Sequence, residues 1–453
     1  MQPVSAEVPW YRTLTPAQWK TLAASNLGWM FDGYETFALI LTVGVALRQL
    51  LDPSLYPQIP AYAGTVIGLT LLGWGIGGLL GGIVADYIGR RRTMIFAILG
   101  YSIMTGLSAF AWDWLSFALL RFLVGVAIGS EWVTGASITA EVWPDHARGK
   151  GAGLMQSGLG IGFFVASLVW LFVSAIGPDA WRIIGLVPAD AWRIMFLIGV
   201  LPALFALWLR TGIPESQPWE RSNDQRRAAR EKSRSGGPLQ PEEQALVRFT
   251  VVDLFVEPEI RRRTILLFLC SLTTTLAWWG ISTWVPPFVG SVATKSGLSP
   301  QQWASYAALA YNFGGIVGYA SFGFIADVFG RKPVTMLFFA MALLLTPILF
   351  LWTQDLNLLL VVAAISGYFS LGQYSWMPVW LPEHFPTRIR ATGMAFVFNA
   401  PRFIAFLGPL LAGQLIVTFG GFGPAATTIA TIYVVGFVAA FFLPETRGRP
   451  LPA

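Results

Sequence analysis

One segment occurs twice in this chain. Gly82-x3-Asp86-x2-Gly89-Arg90-Arg91 returns as Gly323-x3-Asp327-x2-Gly330-Arg331-Lys332, with an offset of 241 positions at each shared residue. An offset near half of 453 residues means that two similar halves lie in tandem, and each copy closes a long apolar stretch with a cationic turn. That is the outline of a duplicated membrane protein. Composition agrees: 55% of residues are hydrophobic and 12% are charged, against about 25% charged in a soluble domain.

Twelve apolar spans begin near residues 20, 62, 92, 114, 150, 191, 262, 301, 333, 356, 391 and 421. Each runs for roughly 20 to 28 residues, enough to cross a hydrocarbon core of about 30 Å as helix. The expected architecture is an all-α membrane protein with twelve transmembrane helices in two pseudo-symmetric six-helix bundles. It divides into a cytoplasmic tail (1–19), a bundle (20–212), a cytoplasmic interdomain loop (213–261), a second bundle (262–444) and a cytoplasmic tail (445–453).

With the amino terminus inside, Arg48, Arg182, Arg193 and Lys295 fall outside, and Arg121 and Arg402 fall within the membrane. All other Lys and Arg lie on the cytoplasmic side, as the positive-inside rule requires. The basicity therefore reads as membrane topology rather than as a nucleic-acid surface. The expected setting is a cell (inner) membrane, the partner the lipid bilayer and the state monomeric. Cys270 stands alone, which excludes an internal disulfide or thiolate cluster. No cleavable signal is expected, since the first residues lack a charged start followed by an apolar core. The charge-dense stretch between Glu220 and Gly237 reads as a solvated interdomain linker, its Arg-rich part a short surface helix.

A second echo joins Glu141-x2-Pro144-x3-Arg148 to Glu383-x2-Pro386-x3-Arg390, offset by 242, and each half closes on Pro-Glu, at Pro214-Glu215-Ser216 and Pro444-Glu445-Thr446. Gly82, Asp86, Gly89, Arg90, Glu141 and Arg148, with Gly323, Asp327, Gly330, Arg331, Glu383 and Arg390, are assigned to gating. A latch that must also open suits weak ion pairs at a wet surface, worth about 0–1 kcal/mol each, and Asp86 is placed to reach Arg148 or the neighbouring helix.

Charges at bilayer depth are costly unless paired or wetted, and so mark function. Asp32 and Glu35 share one face of the first helix, and Arg121 of the fourth lies at a compatible depth. The three read as a proton-coupling group, or else as a permanent ion pair. Arg402, near the midplane, has Gly160 as its counterpart in the first half. It reads as an anchor for an anionic substrate, because its planar fork matches a carboxylate, or as the partner of a buried carboxylate such as Glu131. Glu131 is open between relaying protons, holding Arg402 and lining the inner gate. Gln156, Asn312, Gln373, Tyr374 and Asn399 supply neutral polar groups at cavity depth, and Trp278, Trp279 and Trp284 can shape a pocket or face lipid. The Gly-rich runs at Gly75–Gly78 and Gly158–Gly162 lie within apolar spans and read as helix contacts rather than nucleotide fingerprints. No phosphate loop, metal site, cofactor or enzyme chemistry is expected. His146 and His384 are placed in cytoplasmic loops.

With these residues in view, the whole chain resembles the major facilitator superfamily, whose signature the paired Gly-Asp-Gly-Arg turns carry. The Pro-Glu closures and Glu-x2-Pro-x3-Arg loops are similar to its sugar-porter and organic-acid branches. Gly28-x3-Asp32-Gly33-Tyr34-Glu35, Gly129-x-Glu131-Trp132 and Arg148-Gly149-Lys150 resemble the sialate branch of proton symporters, with Glu35 in place of a second Asp. The seventh helix lacks the polar element of fungal lactate permeases. The resemblance implies proton-coupled uptake of a small organic anion, a sialate-like sugar acid or monocarboxylate, by alternating access. Neutral sugars and aromatic acids of the benzoate or nicotinate type are the alternatives in cargo, and a nontransporting nutrient sensor is the alternative in class. In sugar porters an acidic residue of the first helix acts beside the Arg that opens Arg-x3-Gly, here Arg121 to Gly125.

Overall fold

A computed structural model describes residues 9–174, 190–202, 204–205, 208, 212–407, 415–416 and 418–452. Its first half contains α1 (Pro16–Leu50), α2 (Ile59–Ile88), α3 (Arg90–Ser108), α4 (Trp114–Val142), α5 (Arg148–Gln156, continued by Gly158–Ser174) and α6 (from Ala191–Ile198). The second contains α7 (Pro258–Ile281, continued to Lys295), α8 (Pro300–Phe329), α9 (Arg331–Pro347), α10 (Leu356–Ser370, continued to His384), α11 (Arg390–Asn399, then Arg402–Ala405) and α12 (Phe422–Ala430, then Tyr433–Phe442). All twelve expected spans start within four residues of these helices.

Among the described residues, nine helices are long and apolar enough to cross a membrane. The other three are α3, which opens on Arg90, Arg91 and Arg92, and α6 and α11, parts of which lie outside the described residues, as does Arg182.

Polar residues at the helix starts set the boundaries. Thr15 and Gln18 form a reciprocal capping box on α1, Asp113 and Ser116 do the same on α4, and Asp355 caps α10 through the Leu358 N–H at 2.8 Å. Between α2 and α3 a single residue makes the turn. Gly89 takes φ 109°, and its repeat Gly330 takes φ 103° between α8 and α9, a region that favours glycine.

The halves repeat in packing as well. In α2, a Cβ on Gly73 or Gly77 would strike the carbonyls of Phe122 and Val126 in α4; in α8, one on Gly314 or Gly318 would strike those of Ala364 and Tyr368 in α10. Gly158 and Gly162 hold α5 against the backbone of α1 in the same way, so the Gly-rich runs are sites of close helix approach.

The Arg-rich part of the interdomain segment forms a helix as expected, Gln217–Arg234, but the segment is not simply a solvated linker: with Pro241–Val247 and Thr250–Val256 it folds onto one face as three helices. Trp219 and Arg226 donate to the carbonyl of Asp86 at 3.0 and 2.6 Å, and Arg226 also donates to the carbonyl of Arg388 at 2.7 Å. Arg388 pairs in turn with Glu257 at 2.8 Å. The stretch is polar because the surface it covers consists of helix ends, whose carbonyls need donors. Residues 10–12 and Pro452 lie on this same linker face, where Trp10 packs 5.7 Å from Phe324 and Pro452 accepts from Arg390.

Gly77→Val and Gly318→Val should each lower the melting temperature in detergent by several degrees, since overpacking costs about 1–3 kcal/mol. Gly68→Ala, where an added Cβ meets nothing within 4 Å, should leave it unchanged. Equal melting of all three would refute the backbone contact.

Candidate functional site

Two sets of buried charges close the linker face. Glu141, at the end of α4, pairs with Arg90 of its own half at 3.1 Å and with Arg390 of the other half at 2.8 Å. Glu383, its repeat, pairs with Arg331 of its own half at 3.1 Å and with Arg148 of the other half at 3.5 Å. Arg90 also reaches Asp86 at 3.0 Å, and Arg331 reaches Asp327 at 2.9 Å.

Each half's loop arginine therefore crosses to the other half's glutamate. The motif aspartates cross as well: Asp86 accepts from the Thr392 N–H and hydroxyl at 2.8 and 2.7 Å, and Asp327 pairs with Lys150 at 2.9 Å. Gly82 and Gly323 permit the approach, since a Cβ on Gly82 would meet Ala395 and one on Gly323 the backbone of Gly149.

The Pro-Glu closures complete both sets. Glu215 accepts the N–H groups of Arg90 and Arg91 at 3.0 and 3.2 Å, capping α3, and Ser216 donates to Glu141. Glu445 accepts those of Arg331 and Lys332 at 3.0 and 2.9 Å, and Thr446 donates to Glu383. A carboxylate at a helix N-terminus meets unpaired N–H groups and the positive end of the helix dipole.

Three expectations change here. The pairs are buried rather than wet, with side-chain exposures of 0–2% for Arg90, Glu141, Arg390, Arg148 and Glu383. Of the two reaches open to Asp86, it takes neighbouring helices, at Arg90 and Thr392, and not Arg148, which reaches Glu383 and Asp145. His384 is buried beside Trp380 rather than lying in an open loop.

Above this closed face, a cavity between the halves is lined by Trp29, Thr36, Leu71, Trp74, Leu159 and Phe163 from one half and by Trp278, Trp279, Tyr319, Tyr374, Phe398 and Arg402 from the other. Its volume is about 40 Å³, room for a few waters, so a ligand enters by moving rings. Phe163 and Trp278 are shared with a second cavity of about 250 Å³, which Asn312, Tyr311 and Ser282 also line, and they form the partition between the two.

Arg402 is 6% exposed and pairs with no carboxylate among the described residues. It donates to the carbonyl of Phe398, one turn earlier, and its guanidinium lies 4.1 Å from the Phe398 ring and 4.8 Å from the Trp74 ring.

The first-half carboxylates divide. Glu35 pairs with Arg121, both buried. Asp32 does not join them; its carboxyl neighbours that of Glu131, whose side chain lies against Gly28, one turn before Asp32 on α1. Both carboxyls are fully buried, and no donor among the described residues touches either. Two carboxyl groups make a hydrogen bond with each other only when one carries a proton. Glu131 therefore faces Asp32, and the expected alternative of an Arg402–Glu131 pair is absent.

The neutral candidates scatter. Tyr374 lines the central cavity and Asn312 the outer one. Gln156 accepts from the Trp132 indole at 3.0 Å, Gln373 donates to the Ser370 carbonyl at 2.8 Å, and Asn399 donates to Ala395 beside Gly78; none of these three lines the cavity. Trp278 and Trp279 do line it, while Trp284 packs near Phe422. Sequence reading missed Trp29, Trp74, Tyr319 and Phe398. Their one signal was aromatic residues at mid-depth, which lipid-facing positions share.

A twelve-helix, two-half architecture with a cavity at its middle and a latch across one face is that of a major facilitator superfamily transporter, not of an enzyme. The family model described as "Sugar (and other) transporter" matches residues 30–453, and the chain belongs to that family. The niacin transporter NiaP of Acinetobacter baylyi is 26% identical over 94% of this chain and 94% of its own length. The sialic acid transporter NanX of Escherichia coli is 25% identical over 94% and 96%. Among solved structures, the proton:xylose symporter XylE superposes with a TM-score of 0.73 at 20% identity, over 96% of this chain and 98% of that one, a likeness of fold.

Breaking a buried pair costs about 3–5 kcal/mol, so Arg390→Ala should open the linker face. Ser137→Cys, placed beneath the latch where Ser137 is buried against Met394, reports this in a chain whose one natural cysteine is buried. A bulky hydrophilic thiol reagent should label it in Arg390→Ala and not otherwise. Equal protection in both would show that the pair does not hold the face shut.

Proposed function

We propose that the chain imports a planar organic acid, aromatic or conjugated, together with protons, moving it from the face opposite the linker to a cytoplasmic linker face. The observation that carries this reading is Arg402: a buried cation without a carboxylate partner among the described residues, in a cavity otherwise lined mainly by rings. A desolvated guanidinium attracts an anion in a planar, two-point geometry. Trp29, Trp74, Trp278, Trp279, Tyr319 and Tyr374 offer faces and edges to a ring. The similarity to a niacin transporter supports the same cargo class.

The similarity to a sialic acid transporter favours a second reading, a sugar acid. Each buried hydroxyl of such a substrate needs a partner. Beside Arg402 the lining supplies the hydroxyls of Thr36, Tyr319 and Tyr374 and the indole N–H groups of four tryptophans; the indoles donate only, so few side-chain acceptors meet the hydroxyl protons of a sugar acid, and the lining suits a ring with one carboxylate better.

Proton coupling is assigned to the contact between Asp32 and Glu131. A proton holds the two carboxyls together, and its loss leaves two like charges in contact, which drives them apart. Glu35 and Arg121 then fix α1 against α4 beside that contact. The concentration of Lys and Arg on the linker side supports its cytoplasmic placement.

Uptake into proteoliposomes under an imposed pH gradient tests the cargo, with benzoate and nicotinate set against sialic acid and xylose. Accumulation of a sugar or sugar acid with no response to planar acids would overturn the first reading. Asp32→Asn and Glu131→Gln should each abolish gradient-driven accumulation and keep exchange of substrate across the membrane; full accumulation in both would refute the coupling site. Arg402→Lys should raise KM about tenfold, because a point charge lacks the fork, and an unchanged KM would reduce Arg402 to a structural role.

A further inference from the structure

The surroundings of Arg402 come from both halves. Arg402 and Phe398 belong to α11, and Trp74 belongs to α2 of the opposite half. The Phe398 ring is stacked on its other side by Trp132 of α4, at 3.7 Å and 11°, and Gln156 of α5 holds the Trp132 indole at 3.0 Å. The order is Trp132, Phe398, Arg402, Trp74, so second-half residues are gripped between first-half rings.

The site of this grip matters. From the linker face inward, α2 and α11 touch along one line: Gly82 against Ala391 and Ala395, Gly78 against Asn399, and Gly75 against Arg402 and Phe403. The latch closes the outer end of that line through Asp86 and Thr392. An opening of the linker face that parted α2 from α11 along this line would remove Trp74 from Arg402.

We propose that Trp74 is a positioning residue for Arg402, holding the guanidinium in its anion-binding orientation only while the linker face is closed. The inference rests on the reading of Arg402 as the substrate anchor. With one nitrogen donating to the Phe398 carbonyl and the plane held by Trp74, the remaining edge of the guanidinium presents to the cavity in one orientation. When α2 withdraws, the cation–π contact with Trp74 is lost, while the contacts with Phe398 on the same helix stay. The guanidinium, restrained on one face only, gains freedom to turn and binds the anion less tightly, so the movement that exposes the substrate to the linker side also loosens its hold. The neutral sequence around Trp74 explains why the contact is conditional: an Arg–carboxylate pair within α11 would persist in every state, whereas a ring on the other half does not.

The test is transport of benzoate by oriented proteoliposomes, measured separately from each face for wild type, Trp74→Leu and Trp74→Phe. Wild type should show a lower KM from the face opposite the linker than from the linker face. Trp74→Leu should raise the former about tenfold with Vmax little changed, leave the latter within about twofold, and so erase the asymmetry. Trp74→Phe, which keeps a ring, should recover most of it, and it carries the test should Trp74→Leu fail to fold. A KM raised equally from both faces, an unchanged KM, or a Trp74→Phe no better than Trp74→Leu would overturn the proposal while leaving planar-acid transport standing. Absence of benzoate and nicotinate transport in the wild type would overturn both.

Discussion

The closure of one face of this molecule centres on two buried glutamates. Glu141 and Glu383 each collect an arginine from their own half, an arginine from the other half and a hydroxyl from the Pro-Glu closure. Burial makes these pairs a seal, because no water competes for the charges. It does not make the seal permanent. Removing two charges from water costs several kcal/mol, which offsets much of their attraction at close range. Opening the face returns the charges to water and recovers that cost. Reversibility therefore comes from the balance of desolvation and attraction, rather than from the weakness of a wet ion pair.

The same motif residues serve two purposes at once. Gly89 and Gly330 turn the chain so that α3 and α9 start directly under Glu215 and Glu445, and Arg90 and Arg331 sit in those first turns with their side chains on Glu141 and Glu383. Backbone capping and side-chain pairing thus fix one position in each half. Gly82 and Gly323 add the close approach that brings the opposite half into range. Duplication supplies both copies, and each half is completed only by the arginine of the other.

Against this shared frame, the buried chemistry is one-sided. α4 carries Arg121 and Glu131, where α10, 242 positions later, carries Ala363 and Gln373. The anchor Arg402 has no counterpart at Gly160. The first half thus holds the carboxyls on which protons are proposed to ride, and the second holds the cation proposed to meet the cargo. The stack of Trp132 on Phe398 joins them, since Trp132 adjoins Glu131 in the chain and Phe398 lies one turn from Arg402.

Much of the architecture was legible without coordinates. Hydrophobic runs of the required length placed all twelve helices, because crossing a bilayer leaves few other solutions, and the 241- and 242-residue offsets separated the shared frame from the unshared charges. The partners of those charges were not legible. Asp32, Glu35, Arg121, Glu131 and Arg402 could all be named from depth alone. Depth does not say which way a helix face points or how one helix is rotated against the next. Only the packing decided that Glu35 takes Arg121, that Asp32 is left with Glu131 and that Arg402 lies between rings. The linker misled for a related reason: its polarity signalled water, yet polar side chains equally serve buried carbonyls at helix ends. The sequence by itself determined the number of spans, the duplication and the inventory of buried charge, because these follow from composition along one dimension. The tertiary structure decided which charges meet, because pairing depends on helix rotation and on contacts between residues hundreds of positions apart.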